Sequence, residues 1–261
     1  MIFSIIINTH NQYKTIIRCI RSCLNQNFKK KYEIIIVDSS QKKIENRILK
    51  SKKIRYFHVK KFSDYPEINQ LKKIHLGQKR AKGKWFCLMD GDDFFEKDKL
   101  RYIYENYNLN NQIIVQDKCY NFYEFSKIKK ISKNKNYKKN YFYKKLINFW
   151  PLIYGTSSLS GNTKTLKSFF KNIDINKWTK LAIDALLILY ALNKNIYILD
   201  RTILTNKSIS DNNLGDKYKI LNKKYWERRN QQINYWKTLS KKNIFNLDKI
   251  LSKFISIFFL P

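Results

Sequence analysis

The chain has 261 residues, and its 53 lysines and arginines outnumber its 20 acids, which gives a formal net charge of +33. A hydrophobic fraction of 43% supplies a packed core and excludes a chain that is disordered throughout. No apolar run reaches the roughly 20 residues that cross a bilayer. Lysines outnumber arginines 44 to 9. This bias favours genomic drift and a solvated surface over a specific nucleic-acid site, which relies on arginine. A role for the charge at an anionic membrane surface stays open.

The first 120 residues alternate between strand-like and helix-like segments. Continuous apolar runs predict strands at 3–7, 33–38, 54–59, 85–89 and 113–115, and helical spacing predicts helices at 16–24, 71–81 and 97–107. Strands that alternate with helices of this length predict an α/β fold with a doubly wound sheet.

Three of these predicted strands end in polar residues: 8–11, 38–40 and 90–93. In an open α/β sheet, ligands bind beyond the carboxyl ends of the parallel strands. The three polar segments should therefore lie together at one edge, which makes that edge the candidate site.

The second half of the chain begins with a strongly basic segment. Residues 127–145 contain nine lysines and no acid, so self-repulsion predicts an open basic loop. Helices are expected at 181–192 and 217–238, with a strand at 196–199 between them. From residue 243 onward, polar and apolar residues separate as in an amphipathic helix.

The acidic segment Asp90-Gly91-Asp92-Asp93 is the clearest chemical motif. Carboxylates spaced i and i+2 around a glycine can turn toward one hard cation, and oxygen ligands suit Mg²⁺ or Mn²⁺. The alternative is an acidic turn that caps the following helix. Because three acids cluster at the ligand edge of a strongly basic chain, we favour the cation site.

Taken in order, these motifs resemble family 2 glycosyltransferases of the GT-A fold. The resemblance rests on the polar ends of the first two strands, on 81–85 leading into 88–93, and on 155–158 with a later helix and strand. It implies a GT-A domain at 1–215, comprising a nucleotide-sugar half at 1–120, the basic loop at 127–145 and an acceptor half at 146–215. A C-terminal helical extension at 216–261 would follow.

The family's roles carry over to individual positions. The resemblance implies that Asp92 coordinates a divalent metal, Mn²⁺ or Mg²⁺, and that Asp90 contacts the ribose. An arginine of the family is replaced here by Ile74, and we expect Lys73 to contact the diphosphate instead. The full nucleotide-sugar site would consist of Thr9, His10, Asn11, Asp38, Ser39, Lys73 and Asp90.

Asp184 matches the family's general base. It is the only charge between 181 and 189, and an acid on an otherwise apolar helix is either paired or functional. A sugar hydroxyl becomes a good nucleophile when a carboxylate accepts its proton. The alternative is a carboxylate paired with Lys180 or with a lysine of the basic loop.

These inferences predict an inverting, metal-assisted glycosyltransferase. It would move a sugar from a nucleotide-diphosphate donor to a hydroxyl of a growing surface glycan, such as a capsule, lipopolysaccharide or lipo-oligosaccharide. The first residues lack the features of a signal peptide, so we expect a cytoplasmic location at the inner membrane face. The C-terminal tail would bind an anionic leaflet, pack on the domain, or contact a second subunit.

Two other functions compete with this prediction. One is a non-catalytic, basic, nucleic-acid-binding α/β protein that uses 127–145 as an arm, but the acidic cluster would repel a polyanion unless a metal were bound. The other is a related nucleotidyltransferase, which needs a glycine- and arginine-rich phosphate loop that is missing here. We therefore expect no nucleic-acid partner.

Overall fold

The computed structural model describes residues 1–132, 151–209, 223–240, 250 and 252–255. Within this part of the chain the centre of the fold is a mixed sheet of nine strands. The strands are β1 (Phe3–Thr9), β2 (Tyr32–Asp38), β3 (Ile54–His58), β4 (Trp85–Asp90), β5 (Phe94–Phe95), β6 (Ile114–Tyr123), β7 (Ile128–Ile131), β8 (Leu159–Asn162) and β9 (Tyr197–Ile209). The helices are α1 (Ile16–Leu24), α2 (Pro66–Arg80), α3 (Lys99–Asn106), α4 (Thr163–Asn172), α5 (Ile183–Asn193) and α6 (Lys223–Ser240).

The N-terminal half of the sheet is parallel, in the order β3-β2-β1-β4. Strands β1 and β2 are buried along their whole length, as expected for parallel strands that are covered on both faces. The register places Asn8 opposite Asp90 and Thr9 opposite Asp38. The prediction that the polar strand ends meet at one edge is confirmed.

Helices cover the two faces of this sheet with separate cores. Helices α1 and α3 pack on the face that contains Phe3, Ile5 and Ile7. Helices α2, α4 and α5 pack on the face of Ile6, and Tyr235 of α6 is buried in the same cluster. No helix among the described residues is long and apolar enough to span a membrane.

The second half of the sheet contains antiparallel pairs, and its strands are longer than predicted. Strand β8 pairs antiparallel with β4 and β6, whereas β9 runs parallel to β6. The predicted segments 113–115 and 196–199 extend into strands of 10 and 13 residues because β6 and β9 pair with each other. A register shift near Lys118 interrupts the pairing of β6 with β9. The alternation of buried and exposed side chains is therefore broken there, and the sequence does not show one continuous strand.

The predicted basic loop at 127–145 is wrong at its start. Residues Ile128–Ile131 form β7, an edge strand in a hairpin with β6. Charge repulsion is relieved there, because Lys129 Nζ donates to Glu96 Oε1 at 2.7 Å. Residues 133–145 lie outside the described part of the chain.

The described part of the C-terminal helix, α6 (Lys223–Ser240), packs against α5, and the expected start at 217 lies outside the described residues. Tyr235 of α6 meets Trp178 edge-on, with the ring centroids 5.1 Å apart. This part of the extension therefore packs on the domain. The amphipathic helix expected from 243 lies largely outside the described residues.

Candidate functional site

Asp90, the last residue of β4, is held by neighbours on several elements. Its Oδ1 accepts hydrogen bonds from Asn8 Nδ2 at 2.6 Å and from Gln70 Nε2 at 2.9 Å. Its backbone N–H donates to Ser157 Oγ at 2.9 Å. Both amides converge on one carboxylate oxygen, which orients the other oxygen for a ligand. In the sequence Asn8 stands out only as part of a polar strand end, and nothing in the sequence marks Gln70 as a site residue.

Asp93 is a buried structural acid. Its Oδ2 accepts from Ser157 Oγ at 2.6 Å and its Oδ1 accepts from Ser208 N at 2.8 Å. Both of its oxygens thus fix the loop to the 3₁₀ turn at 156–158 and to the end of β9.

The backbone of Asp92 is also anchored. Its carbonyl oxygen accepts from the Arg18 guanidinium at 2.8 Å and from Ser208 Oγ at 2.5 Å. A Cβ on Gly91 would lie 2.6 Å from Thr9 Oγ1, so only glycine lets the loop pass this close to β1. The loop is built to present the side chain of Asp92 in a fixed place.

The three carboxyls share a poorly hydrated environment. Burial raises the pKa of Asp90, and the charge of Asp184 adds to this rise against the hydrogen bonds from Asn8 and Gln70. Burial, followed by the charge of Asp90, raises the pKa of Asp92 to about 6. Burial also raises the pKa of Asp93 well above its ordinary value. Such a cluster favours a cation or a proton among its members.

The loops after β1 and β2 are tied together. His10 Nδ1 lies 2.7 Å from the carbonyl oxygen of Ser39, and the backbone N–H of Asn11 donates to Ser40 Oγ at 2.7 Å. Ser39 is almost completely buried, and its Oγ accepts from Asn69 Nδ2 at 3.1 Å. The structure therefore brings the predicted base- and ribose-binding residues into one surface.

Asp38 is fully buried beneath the loops that follow β1 and β2. Its Oδ1 accepts from the backbone N–H of Ser40 at 2.8 Å, and its Oδ2 accepts from the Tyr56 hydroxyl at 2.6 Å. With both oxygens bound inside the protein, Asp38 fixes the loop that lines the site. Its predicted contact with the nucleotide stays a prediction.

Lys73, on α2, lies beneath the same edge. It is 3% exposed, and its Nζ donates to the carbonyl oxygen of Thr9 at 2.8 Å. Burial lowers the pKa of Lys73 to about 8, against the opposing effect of Asp90 and Asp38. In this arrangement Lys73 braces the β1 loop, and its predicted diphosphate contact stays a prediction.

Asp184 lies in the first turn of α5 and is 9% exposed. Its Oδ1 accepts from the backbone N–H of Ala185 at 2.7 Å. The backbone N–H of the preceding Ile183 donates to Gln70 Oε1 at 3.5 Å, and Gln70 also binds Asp90, so Asp184 lies near the acids at the end of β4. Lys180 pairs with Glu227 at 3.5 Å, so the alternative in which Lys180 pairs with Asp184 is wrong.

The acids also bear on the expected metal. Within the described ranges, no three or more His, Cys, Asp or Glu side chains form a ready-made metal site. The four cysteines are buried and free, which suits small core side chains. Mg²⁺ is commonly held by one or two carboxylates together with substrate phosphates. Asp92, with Asp90 beside it, fits that kind of site.

Comparisons with known proteins agree with this picture. Residues 4–169, more than half of the chain, match the sequence model of Glycosyl transferase family 2. A protein from Rickettsia felis described as an uncharacterized glycosyltransferase is 36% identical over 101 residues, which cover 37% of this chain and 16% of that protein. A similar protein from Rickettsia conorii is 35% identical with the same coverage. The match thus spans about one sixth of the length of these relatives.

Solved structures support the fold. S. aureus TarS 1–349 in complex with UDP is 16% identical, has a TM-score of 0.60, and is matched over 99% of this chain and 70% of that fragment. The same TarS fragment in complex with UDP-GlcNAc gives a TM-score of 0.59 at 16% identity, with 99% of this chain and 71% of the fragment covered. The predicted α/β fold of the GT-A type is confirmed.

Proposed function

This chain belongs to glycosyl transferase family 2, and from that premise we propose that it transfers a sugar from a nucleotide-diphosphate donor to a hydroxyl group. One observation carries the proposal: the carboxyl end of β4, with Asp90 and Asp92, meets the first turn of α5, with Asp184. Gln70 connects the two, because it donates to Asp90 Oδ1 and accepts from the backbone N–H of Ile183. Sugar transfer needs acids of two kinds, one set on the donor side and one that accepts a proton from the acceptor.

On the donor side, the loops after β1 and β2 form the wall for the base and ribose, and Asp90 offers its free oxygen to a ribose hydroxyl. Asp92 would hold a divalent cation, Mn²⁺ or Mg²⁺, with Asp90 nearby. Such an ion would neutralise charge on the diphosphate leaving group. The raised pKa values of both acids support a role for a cation here.

On the acceptor side, Asp184 accepts the proton of the attacking hydroxyl. The acceptor oxygen then forms a bond to the anomeric carbon as the bond from that carbon to the diphosphate oxygen breaks, and the electron pair leaves with the diphosphate. A single displacement inverts the anomeric configuration and needs no covalent intermediate. The position of Asp184 in the first turn of α5, which Gln70 connects to Asp90, supports this role.

We further propose a growing surface glycan as the acceptor and the inner face of a membrane as the place of work. The net charge of +33 supports an encounter with an anionic surface or polymer. A uridine nucleotide is the first donor to test, because the TarS structures contain UDP or UDP-GlcNAc.

The proposal is tested by measuring nucleoside-diphosphate release from a panel of nucleotide sugars, with Mn²⁺ and with a chelator. In parallel, Asp184→Asn should lower the transfer rate about 10²- to 10⁴-fold, the usual contribution of a general base, while UDP affinity stays within about twofold. Asp64→Asn, which changes a fully exposed acid, is the matched control.

Two results would contradict the proposal. Release of diphosphate from no donor in the panel would remove the transferase activity itself. A normal transfer rate in Asp184→Asn would remove Asp184 from the mechanism and leave it as a structural carboxylate.

A further inference from the structure

The acidic edge has several cations close by, and most of them already have partners. The Arg18 guanidinium forms an ion pair with Glu124 and donates to the carbonyl oxygen of Asp92. Lys99 forms a buried ion pair with Asp117, and Lys73 donates to the carbonyl oxygen of Thr9. These three positive charges are committed to holding the fold.

Lys207 differs from them. It lies on β9 and is partly exposed, and within the described residues its ammonium makes no ion pair and no hydrogen bond. It adjoins Ser208, whose Oγ donates to the carbonyl oxygen of Asp92, so Lys207 lies close to the loop at 90–93.

The local backbone fixes where this ammonium lies. The two neighbours of Lys207 in β9 bind the loop at 90–93 and the strand after it. Ser208 Oγ donates to the carbonyl oxygen of Asp92, and Asn206 Nδ2 donates to the carbonyl oxygen of Phe94 in β5 at 3.3 Å. Because successive side chains of a strand alternate, Lys207 points to the opposite face.

On that opposite face the lysine meets Gly155. A Cβ at Gly155 would lie 3.6 Å from Lys207 Nζ. Gly155 has φ +120°, a conformation that favours glycine, and it leads into the turn whose Ser157 binds Asp90 and Asp93. The ammonium thus lies beside Gly155 and the 156–158 turn, and this turn contacts Asp90 and Asp93.

The chemistry of the proposed reaction calls for a cation at such a place. A nucleotide diphosphate brings at least two negative charges into a site that already holds several carboxylates, and its charge increases as the sugar departs. A lysine is a compact charge on a flexible stem, which suits a phosphate oxygen whose position shifts during the reaction.

We propose that Lys207 binds the diphosphate of the donor and stabilises the negative charge on the leaving group. The proposal rests on the proposed glycosyltransferase function, and it assigns to Lys207 the contact that the sequence suggested for Lys73. Lys73 is buried and committed to Thr9, whereas Lys207 is accessible and uncommitted.

The test compares the binding of UDP and of uridine by calorimetry to the wild type, Lys207→Met and Lys207→Arg, in excess Mg²⁺. Lys207→Met should weaken UDP binding about 10- to 100-fold, the range for a lost charge-assisted hydrogen bond, and leave uridine binding unchanged. Lys207→Arg should retain most of the UDP affinity. Lys194→Met is the matched control, because Lys194 is exposed at the far end of α5 from Asp184.

Equal UDP affinity in Lys207→Met and Lys194→Met would overturn the assignment. An equal loss of uridine and UDP binding would also overturn it, because it would mean that the substitution reshapes the site. If the wild type binds no UDP, the same pairs are measured with ADP, GDP and CDP and their nucleosides. Failure of all four in the wild type contradicts the proposed function, whereas the other two results reject Lys207 alone.

Discussion

Two acidic regions lie close together near the ligand edge of the sheet, and they differ in whether a basic side chain neutralises them. Asp117 on β6 is buried with Lys99, whose ammonium is 2.6 Å from its Oδ1, while Thr205 Oγ1 donates to its Oδ2 at 2.6 Å. Asp90 and Asp92 receive amide and backbone hydrogen bonds, but neither forms an ion pair within the described part of the chain.

Ser157 connects the two regions. Its carbonyl oxygen accepts from Lys99 Nζ at 2.9 Å, and its hydroxyl bridges Asp93 and the backbone N–H of Asp90. The ion pair of Lys99 and Asp117 thus holds Ser157 in place, and Ser157 positions Asp90 and Asp93. The buried charge of Asp117 is paired within the fold, whereas under the proposed function Asp90 and Asp92 are paired with a cation only when the donor binds.

The largest effect should come from breaking the neutralised pair. Lys99→Met leaves Asp117 buried without its partner, and removal of one member of a buried ion pair costs about 3 to 5 kcal/mol of unfolding free energy. Urea denaturation measures this loss. Lys97→Met, two residues away at an exposed lysine, should unfold like the wild type.

The double variant Lys99→Met/Asp117→Leu sharpens this test. Because it removes both charges, it should recover a large part of the stability lost in Lys99→Met. If Lys99→Met were as stable as Lys97→Met, the buried pair would not support the site.

A smaller effect is expected from pH. The pKa of Asp92 is raised to about 6, so a proton competes with a cation below that pH. Mn²⁺ affinity, measured by calorimetry in the presence of UDP, should fall about tenfold for each pH unit below 6, as expected for the uptake of one proton. A flat profile between pH 5 and 7.5 would contradict the placement of the cation at Asp92.

The smallest effect concerns stability without metal. The pKa of Asp92 is higher in the folded chain than its ordinary value, so the ionised carboxyl destabilises the fold; this cost builds up as the pH rises from about 4 and is complete above about 6. Asp92→Asn should therefore raise Tm at pH 7.5 by about 2 to 4 °C, the shift that corresponds to roughly 1 kcal/mol.

At pH 5 the folded wild type carries a proton at Asp92 while the unfolded chain is still ionised, so the Tm difference should be smaller than at pH 7.5 without vanishing. Thermal denaturation in chelator at both pH values gives the comparison. A wild type that is more stable than Asp92→Asn at pH 7.5 would mean that the fold compensates this charge.

The N-terminal half of the fold was predictable from the sequence because its strands are buried on both faces. Such strands, including 3–7 and 33–38, appear in the sequence as continuous apolar runs. They can be recognised as strands without knowing which distant residues they contact. The meeting of Asp38 and Asp90 at one edge followed from parallel topology alone.

The second half was less predictable because its strands depend on distant partners. Strand β6 includes Gln116 and Asp117, which are buried polar residues that look like loop residues until Leu152 and Lys99 satisfy them. Nothing in the sequence distinguishes Lys99 or Lys207 from the other 42 lysines of the chain. Their roles depend on which acids the fold brings near them.

Under the proposed function, the acids at the end of β4 receive a cation together with the donor. The most direct test is a calorimetric titration of Mn²⁺ into the wild type and Asp92→Asn at pH 7.5, with and without UDP. We expect the wild type to bind one Mn²⁺ more tightly when UDP is present and Asp92→Asn to lose this binding. Equal Mn²⁺ affinity in the two proteins with UDP present would contradict this expectation.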